Sequence, residues 1–151
     1  MKIRHVVEIG VFIFLLSFPF LFSKQDANMD DLIKTIEPYI NTDIMQQQDD
    51  SMIYRNFHLG HDLYVSYISY GPISFMDVDE ITIFKVKPDT ANQVLDAVLS
   101  HIENQKQSFK GYGVEQTKLL EDSYVELKGS YVICVIKQDS KQIEQAIDEC
   151  Y

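Results

Sequence analysis

The stretch Tyr124-Val125-Glu126-Leu127-Lys128-Gly129-Ser130-Tyr131-Val132-Ile133-Cys134-Val135-Ile136 decides the fold of this chain. Two runs rich in aromatic and β-branched residues flank Gly129-Ser130, which predicts two antiparallel strands joined by a tight turn. Glycine at the first position of such a turn is typical of type II′. Gly129 is therefore expected to have a positive φ angle.

A second pair of strands is predicted upstream, from Leu63 to Tyr70 and from Ile81 to Val86. Gly71-Pro72 should end the first strand, and Pro88 should close the second. The segment between them is long enough for antiparallel pairing with a wide turn. Strict alternation along the first strand would place Tyr64 and Tyr70 on one face and Tyr67 on the other.

Apolar residues at helical spacing predict helices around these strands. The longest is expected from Thr90 to Phe109, with Gly111 at its C-terminal end. Shorter helices should begin after Asp30, after Asp49 or Asp50, near Val114, and after Asp139 or Ser140. Paired strands without alternating crossovers indicate the α+β class, with a four-stranded, mainly antiparallel sheet and helices packed on it.

The first 23 residues predict export or membrane insertion. Lys2 and Arg4 precede an apolar run from Val6 to Phe22, which as a helix spans about 25 Å, close to the hydrocarbon thickness of a bilayer. We interpret the run as an uncleaved anchor helix, which makes a single-pass protein of the cytoplasmic membrane with its domain outside. The alternative is a cleaved signal and a secreted protein. The expected organisation is a signal or anchor segment at 1–23, a tether at 24–29 and one extracytoplasmic domain at 30–151.

The net charge and the cysteine content limit the kinds of partner and cross-link that this protein is expected to have. The formal net charge is −10, so the chain is not suited to neutralising phosphates, and nucleic acid is excluded as a partner. An unknown protein or peptide of the envelope is the expected partner, besides the membrane contact of the N-terminal helix, and no cofactor is expected. Cys134 lies in an apolar strand and Cys150 near the chain's end, so a disulfide between them is possible in an exported protein but not favoured.

Three blocks of sequence carry a family resemblance. They are Met76-Asp77-Val78-Asp79-Glu80-Ile81-Thr82-Ile83-Phe84-Lys85-Val86-Lys87, then Gln105-Lys106-Gln107-Ser108-Phe109-Lys110-Gly111-Tyr112-Gly113 with Glu115-Gln116 and Leu119-Leu120-Glu121, and Lys128-Gly129-Ser130-Tyr131-Val132. Over roughly Leu32 to Ile147 the chain resembles a bacterial envelope family, domain of unknown function 4358. The resemblance implies a small protein with an N-terminal signal, lipoprotein or anchor segment. The chain departs from lipoprotein members because it lacks an early cysteine, and the family assigns no activity.

One compact group of residues has metal-ligand character. His58, His61 and Asp62 surround Gly60, and imidazole and carboxylate groups are zinc ligands. The H-x-x-H spacing of the two histidines lacks a clear third protein ligand, so the group is a weak candidate for a metal site. It supports only the alternative function, a small envelope hydrolase or metal-binding protein.

A second candidate site involves Glu80, Gln105 and Tyr112, which lie in the first two family blocks. Asp77, Asp79 and Glu80 form an acidic cluster before a strand, which we interpret as a solvated segment with Glu80 turned inward. A buried carboxylate and a buried amide both need hydrogen-bond partners, so we expect Glu80 and Gln105 to meet or to bond nearby backbone amides, in a structural role. In a binding site both would instead be exposed in one cleft with Tyr112.

The sequence contains no nucleophile elbow, phosphate loop or dinucleotide fingerprint. The favoured function is therefore an extracytoplasmic binding or interaction module rather than an enzyme.

Overall fold

The sheet has five strands, one more than predicted, in a computed structural model that describes residues 26–151. The strands are β1 (Met45–Gln47), β2 (Tyr64–Pro72), β3 (Glu80–Val86), β4 (Tyr124–Lys128) and β5 (Tyr131–Ile136). Their spatial order is β1-β2-β3-β5-β4, and all neighbours are antiparallel. The α+β class is confirmed.

The predicted hairpin is present as β4 and β5. Lys128 pairs with Tyr131 across the turn, and Gly129 has a φ of 56°. Ser130 is not among the residues with positive φ, which fits type II′ rather than type I′. The prediction for the turn is therefore confirmed.

Within the described range, five α-helices cover the sheet. They are α1 (Met29–Ile36), α2 (Asp50–Phe57), α3 (Ala91–Phe109), α4 (Val114–Glu121) and α5 (Ser140–Asp148), and a 3₁₀ turn at Glu37–Tyr39 follows α1. The Asp49 carboxylate caps α2 by accepting from the amide of Met52, as predicted. The cap of α1 differs, because Asn28 rather than Asp30 accepts from the first turn.

The sheet is covered on both sides, which makes three layers. On one side, the α1–α5 face, isoleucines and valines of the strands pack against α1 and α5; its strand residues include Ile68, Ile81, Ile83, Ile133 and Val135. On the other side, the α2–α3 face, the strands pack against α2, α3 and α4; its strand residues include Tyr64, Phe84, Val86, Val132 and Cys134. Val98, Ile102 and Phe109 of α3 are buried on this face, as predicted.

The fifth strand lies in the glutamine run. Gln46 and Gln47 are exposed and show no apolar alternation, so no local pattern predicts a strand there. β2 continues through Gly71 and Pro72, beyond its last pair with β3 at Ile81. The strand β1 exists because the other edge of this extension pairs with Gln46 and Met45. The prediction that Gly71-Pro72 ends β2 was wrong for this reason.

The predicted faces of the β2 tyrosines were also wrong. The pairing of β2 with β3 shifts register between Tyr64 and Ser66, which is a β-bulge that breaks strict alternation. Tyr64 and Tyr67 consequently share the α2–α3 face, with ring centroids 5.5 Å apart. Tyr70 packs on the α1–α5 face.

The first described residues belong to the packed domain. The Asp26 carboxylate accepts from the amide of Ser130, with both oxygens 3.2 Å away, and Ala27 is buried. These contacts fall within the predicted tether at 24–29, so ordered packing extends to residues before 30. The predicted anchor at 1–23 lies outside the described residues. Within residues 26–151, none of the helices combines the length and apolarity that a membrane crossing requires.

The two cysteines are free thiols. Cys134 lies in the core of the α2–α3 face, whereas Cys150 packs beside the core of the opposite face. Burial raises the pKa of the Cys134 thiol well above its usual value, so it behaves as a small apolar side chain.

Candidate functional site

A cleft of about 470 Å³ opens between α2, α3 and the loop that joins β2 to β3. We call it the α2–α3 cleft. Its polar lining includes Gln46, Gln48, Arg55, Asn56, Gln105 and Ser108, and its apolar lining includes Ile73, Phe75 and Phe109. Glu80 and His101 lie at its floor as buried lining residues.

Glu80 is the centre of a buried polar network. It begins β3 and is only 1% exposed, so its carboxylate must be hydrogen-bonded. The hydroxyl of Thr82 donates to Oε1 over 2.9 Å, and Nε2 of His101 lies 3.0 Å from Oε2. Both carboxylate oxygens therefore have partners inside the protein.

His101 is fixed by contacts at both ring nitrogens. Nδ1 lies 3.1 Å from the backbone carbonyl of Asn56, and a carbonyl only accepts, so Nδ1 carries a hydrogen. Burial lowers the pKa of His101, but the charge of Glu80, the hydrogen bond with it and the Asn56 carbonyl outweigh burial and leave the pKa above its ordinary value. The imidazole therefore retains its proton to higher pH than an ordinary histidine.

Gln105 reaches the same histidine from one helical turn away. Its side-chain nitrogen lies 2.7 Å from Nε2 of His101. Glu80 and Gln105 thus both contact His101 in a single network, rather than bonding each other directly. Sequence reasoning missed His101; the available signal was its place on the apolar face of α3, four residues before Gln105.

The network continues across the sheet. The hydroxyl groups of Thr82 and Ser69, which are directly opposed on β3 and β2, lie 2.7 Å apart. Oε1 of Gln48 lies 3.3 Å from the Ser69 hydroxyl and accepts from the side-chain amide of Asn56 over 3.2 Å. A continuous chain of polar side chains therefore links β2, β3, α2 and α3 beneath the cleft.

Tyr112 does not share this cleft. It is 62% exposed and lines a separate depression of about 430 Å³ with Gly111, Val114 and Thr117. Its ring lies 5.7 Å from that of Phe109, which lines both depressions. Of the three sequence-predicted residues, the structure brings Glu80 and Gln105 to one site and leaves Tyr112 beside it.

The acidic cluster separates into three environments. Asp77 lines the α2–α3 cleft, Glu80 is buried against His101, and Asp79 lies 3.4 Å from the ammonium group of Lys137. The three carboxylates are therefore not directed at one point.

The structure does not gather the metal candidates His58, His61 and Asp62 into one site within residues 26–151. His58 is the left-handed cap of α2, with a φ of 56°. Nδ1 of His61 lies 3.2 Å from the Tyr64 hydroxyl, and its Nε2 lies 3.8 Å from the Asp50 carboxylate. Within residues 26–151, no three His, Cys, Asp or Glu side chains are placed to hold a metal ion together.

Glu80 and two serines that line the α2–α3 cleft are engaged by contacts within the protein. Glu80 is nearly inaccessible, and a general base must reach its substrate. The hydroxyl of Ser108 donates to the carbonyl of Asn104, and that of Ser74 accepts from the amide of Met76. In the described residues neither serine forms a hydrogen bond with a histidine, as an activated nucleophile would.

Comparison with known proteins places the chain in a family without a described activity. A family model described as "Domain of unknown function (DUF4358)" matches residues 38–137. Neither the curated proteins nor the solved structures gave a match. The matched range contains β1 to β5 and every residue of the polar network described above.

Proposed function

The chain belongs to the DUF4358 family, whose description assigns no activity, and we propose that its domain is a binding module with the α2–α3 cleft as its ligand site. In this proposal the domain lies outside the cytoplasmic membrane. It is anchored there by the apolar segment at 1–23, or is released after that segment is cleaved.

The buried polar network beneath the cleft carries this proposal. Replacing a buried ion pair with apolar side chains is often neutral or stabilising, so the fold alone does not require Glu80 and His101. The opposite face of the same strands is mainly isoleucine and valine, with Met45 and Tyr131, and within residues 26–151 it has no such network of bonded polar side chains. A polar floor at one end of one face is therefore best explained by what the cleft must hold.

The rim of the cleft supports the same conclusion. Phe75 lines the cleft and is 90% exposed, and Ile73 beside it is also exposed. Exposed aromatic side chains next to fixed polar groups are typical of interaction sites, where the apolar part gives affinity and the polar part gives specificity. An unknown protein or peptide partner is consistent with such a rim.

Binding fits the site better than catalysis does. Both oxygens of Glu80 are already bonded, and Nε2 of His101 faces Glu80 rather than the open cleft. The alternative is a hydrolase or metal-binding protein that uses His58, His61 and Asp62. It is not favoured, because within residues 26–151 these side chains are not placed to hold a metal ion together. Metal content after dialysis of the full chain tests that alternative directly.

Site-directed photo-crosslinking in living cells tests the proposed site. A photo-reactive amino acid is placed at Phe75 on the cleft rim or, as a matched control, at exposed Gln145 on α5. We expect a discrete adduct from position 75 and none of the same mass from position 145. Equal adducts at both positions, or none at position 75, would contradict the proposal.

The location is tested separately. Protease is added to intact cells whose wall has been removed, and the domain should be digested together with a known external protein. Survival of the domain while the external control is cut would place it inside. The mass of the membrane-bound form then distinguishes an uncleaved anchor from a mature start after the signal.

A further inference from the structure

Two side chains that line the α2–α3 cleft, Gln48 and Arg55, have hydrogen-bond donors that no residue of 26–151 uses. Gln48 is only 6% exposed, and its oxygen is occupied by Asn56 and Ser69. Its side-chain nitrogen has no hydrogen-bond acceptor among residues 26–151. Gln48 lines the cleft, so this nearly buried amide has a donor left for a ligand.

Arg55 adds a positive charge to the same cleft. It lies in the last turn of α2 and is the sole arginine of residues 26–151. Its guanidinium forms no ion pair or hydrogen bond within the described residues, although the domain is rich in carboxylates. The planar guanidinium group matches carboxylate geometry with two parallel hydrogen bonds.

The protonation state of His101 determines whether Gln105 turns its amide nitrogen or its amide oxygen toward the cleft. Nδ1 of His101 is already a donor, so the protonated ring donates from Nε2 to the Glu80 carboxylate. The structure places the side-chain nitrogen of Gln105 2.7 Å from Nε2, and two N–H donors repel each other at this distance. Beside the protonated ring we therefore expect the reversed amide, with its oxygen toward the ring and its NH₂ group toward the cleft. When the ring is neutral, the bare Nε2 instead attracts the amide N–H of Gln105 and leaves the oxygen toward the cleft.

We infer that the α2–α3 cleft binds a carboxylate group of its ligand, held by the guanidinium of Arg55 and the side-chain amides of Gln48 and Gln105. This inference rests on the proposed function and adds the chemical class of the ligand. It also assigns His101 as a positioning residue, since it acts through Gln105 and not on the ligand.

The other charges of the cleft are compatible with a carboxylate ligand. The titratable and charged residues that line it are Arg55, Asp77, Glu80 and His101. The charge of Glu80 is met by His101, so Asp77 is the remaining anion, and it lies on the loop that joins β2 to β3. Four groups contact His101: the Glu80 carboxylate on β3, the Asn56 carbonyl and Phe57 ring on α2, and the Gln105 amide on α3.

The test uses the full chain in detergent micelles and follows its amide signals by NMR. Three probes are titrated: acetyl-trialanine with a free C-terminus, the same peptide with a C-terminal amide, and acetyl-Ala-Glu-Ala-amide. We expect signals of the cleft residues to move with the two acids, with binding about tenfold weaker for the neutral amide. The ratio between the two acids shows whether a chain terminus or a side chain is the source of the carboxylate.

Substitutions test which side chains donate hydrogen bonds to the carboxylate. Arg55→Gln should weaken binding of the acid about tenfold, whereas Lys141→Gln, which removes the same charge from α5, should leave it unchanged. Gly71→Ala is an independent check, since an added Cβ would collide with Nε2 of Gln48 and must displace that amide. Gly71→Ala should therefore weaken acid binding, and it should also lower the melting temperature because the displaced amide loses its contacts with Asn56 and Ser69. The amide spectrum of the variant shows whether the chain is still folded when binding is measured.

The pH profile tests the role of His101. These probes change charge only at acidic pH, so a change between pH 6 and 9 originates in the protein. Acid binding should fall by roughly fivefold as His101 loses its proton, and the fall should be absent in Gln105→Met. Equal affinity for acid and amide at the cleft would overturn the inference while leaving the proposed binding function intact. Absence of cleft shifts with every probe would overturn the inference as well, and only the Phe75 crosslinking result would then decide the function.

Discussion

The two faces of the sheet are built from the same strands but differ in what they bury. On the α1–α5 face, Ile81 and Ile83 of β3 meet Val135 and Ile133 of β5, and the layer is closed by α1 and α5. On the α2–α3 face, the alternating β3 residues are Glu80, Thr82 and Phe84, and the first two are polar and fully packed. Because one backbone supports both patterns, the polar residues are not required for the strand itself.

This difference separates scaffold from site. An apolar face gains stability from each buried side chain. A buried carboxylate and imidazole must first be desolvated, and their mutual attraction roughly offsets that cost. The α1–α5 face is therefore expected to hold the domain together, and the polar end of the α2–α3 face is expected to serve the cleft.

The largest expected effect lies on the α1–α5 face. Ile83→Ala leaves a cavity among fully buried neighbours and should cost about 2–5 kcal/mol in urea melts. Asp96→Ala, on the exposed side of α3, is the control and should stay within about 0.5 kcal/mol. A cost for Ile83→Ala below that of the control would mean that this face is not the scaffold.

The neighbouring position on the opposite face should cost less. Thr82→Val keeps the shape of the side chain but removes the hydroxyl that donates to Glu80 and contacts Ser69. Leaving these buried groups without a partner should cost about 1–3 kcal/mol, measured in the same melts. A stabilising Thr82→Val would show that the polar row is not a closed network.

In the β4–β5 hairpin, stability should be sensitive to substitution at Gly129 but not at Ser130. Gly129→Val forces a branched side chain into a positive φ and brings its Cβ onto the Asp26 carboxylate, so about 1–2 kcal/mol should be lost. Ser130→Ala keeps the backbone amide that Asp26 accepts from and should change stability by less than about 0.5 kcal/mol. Equal effects from the two substitutions would be incompatible with the type II′ turn.

The smallest effect should be a pH dependence that belongs to the α2–α3 face alone. The folded pKa of His101 lies above its unfolded value, so its contribution to stability is fully present below the unfolded pKa. The contribution is lost as the pH rises through the folded pKa. Wild type should therefore lose more stability than His101→Gln between pH 6 and 9 in denaturant melts. A wild-type chain that gains stability over this range, relative to the variant, would reverse the sign and refute the ion pair.

Local patterns predicted the elements that form from neighbouring residues. The hairpin around Gly129 and the long helix from Ala91 to Phe109 follow from turn chemistry and periodicity. The sequence could not reveal β1, because Gln46 and Gln47 become a strand only through the free edge of β2. The β2 bulge likewise depends on its partner β3, and it overturned the predicted faces of the tyrosines.

The site was predictable only in part for a similar reason. A carboxylate at the start of an apolar strand and an amide on a packed helix face each required a partner, which identified Glu80 and Gln105. Their common partner, His101, was hidden because a single histidine in a helix has no motif. The donor of Gln48 depends on contacts with Asn56 and Ser69, which are distant in sequence and meet only in the fold.

One crosslinking measurement tests most directly whether the α2–α3 cleft holds the ligand and whether Arg55 binds it. The photo-reactive residue at position 75 is combined with either Arg55→Gln or the charge-matched control Lys141→Gln, and the adduct is quantified in cells. We expect the adduct to remain with Lys141→Gln and to fall strongly with Arg55→Gln, while both proteins stay at wild-type abundance. An adduct of equal yield in the two backgrounds would contradict it.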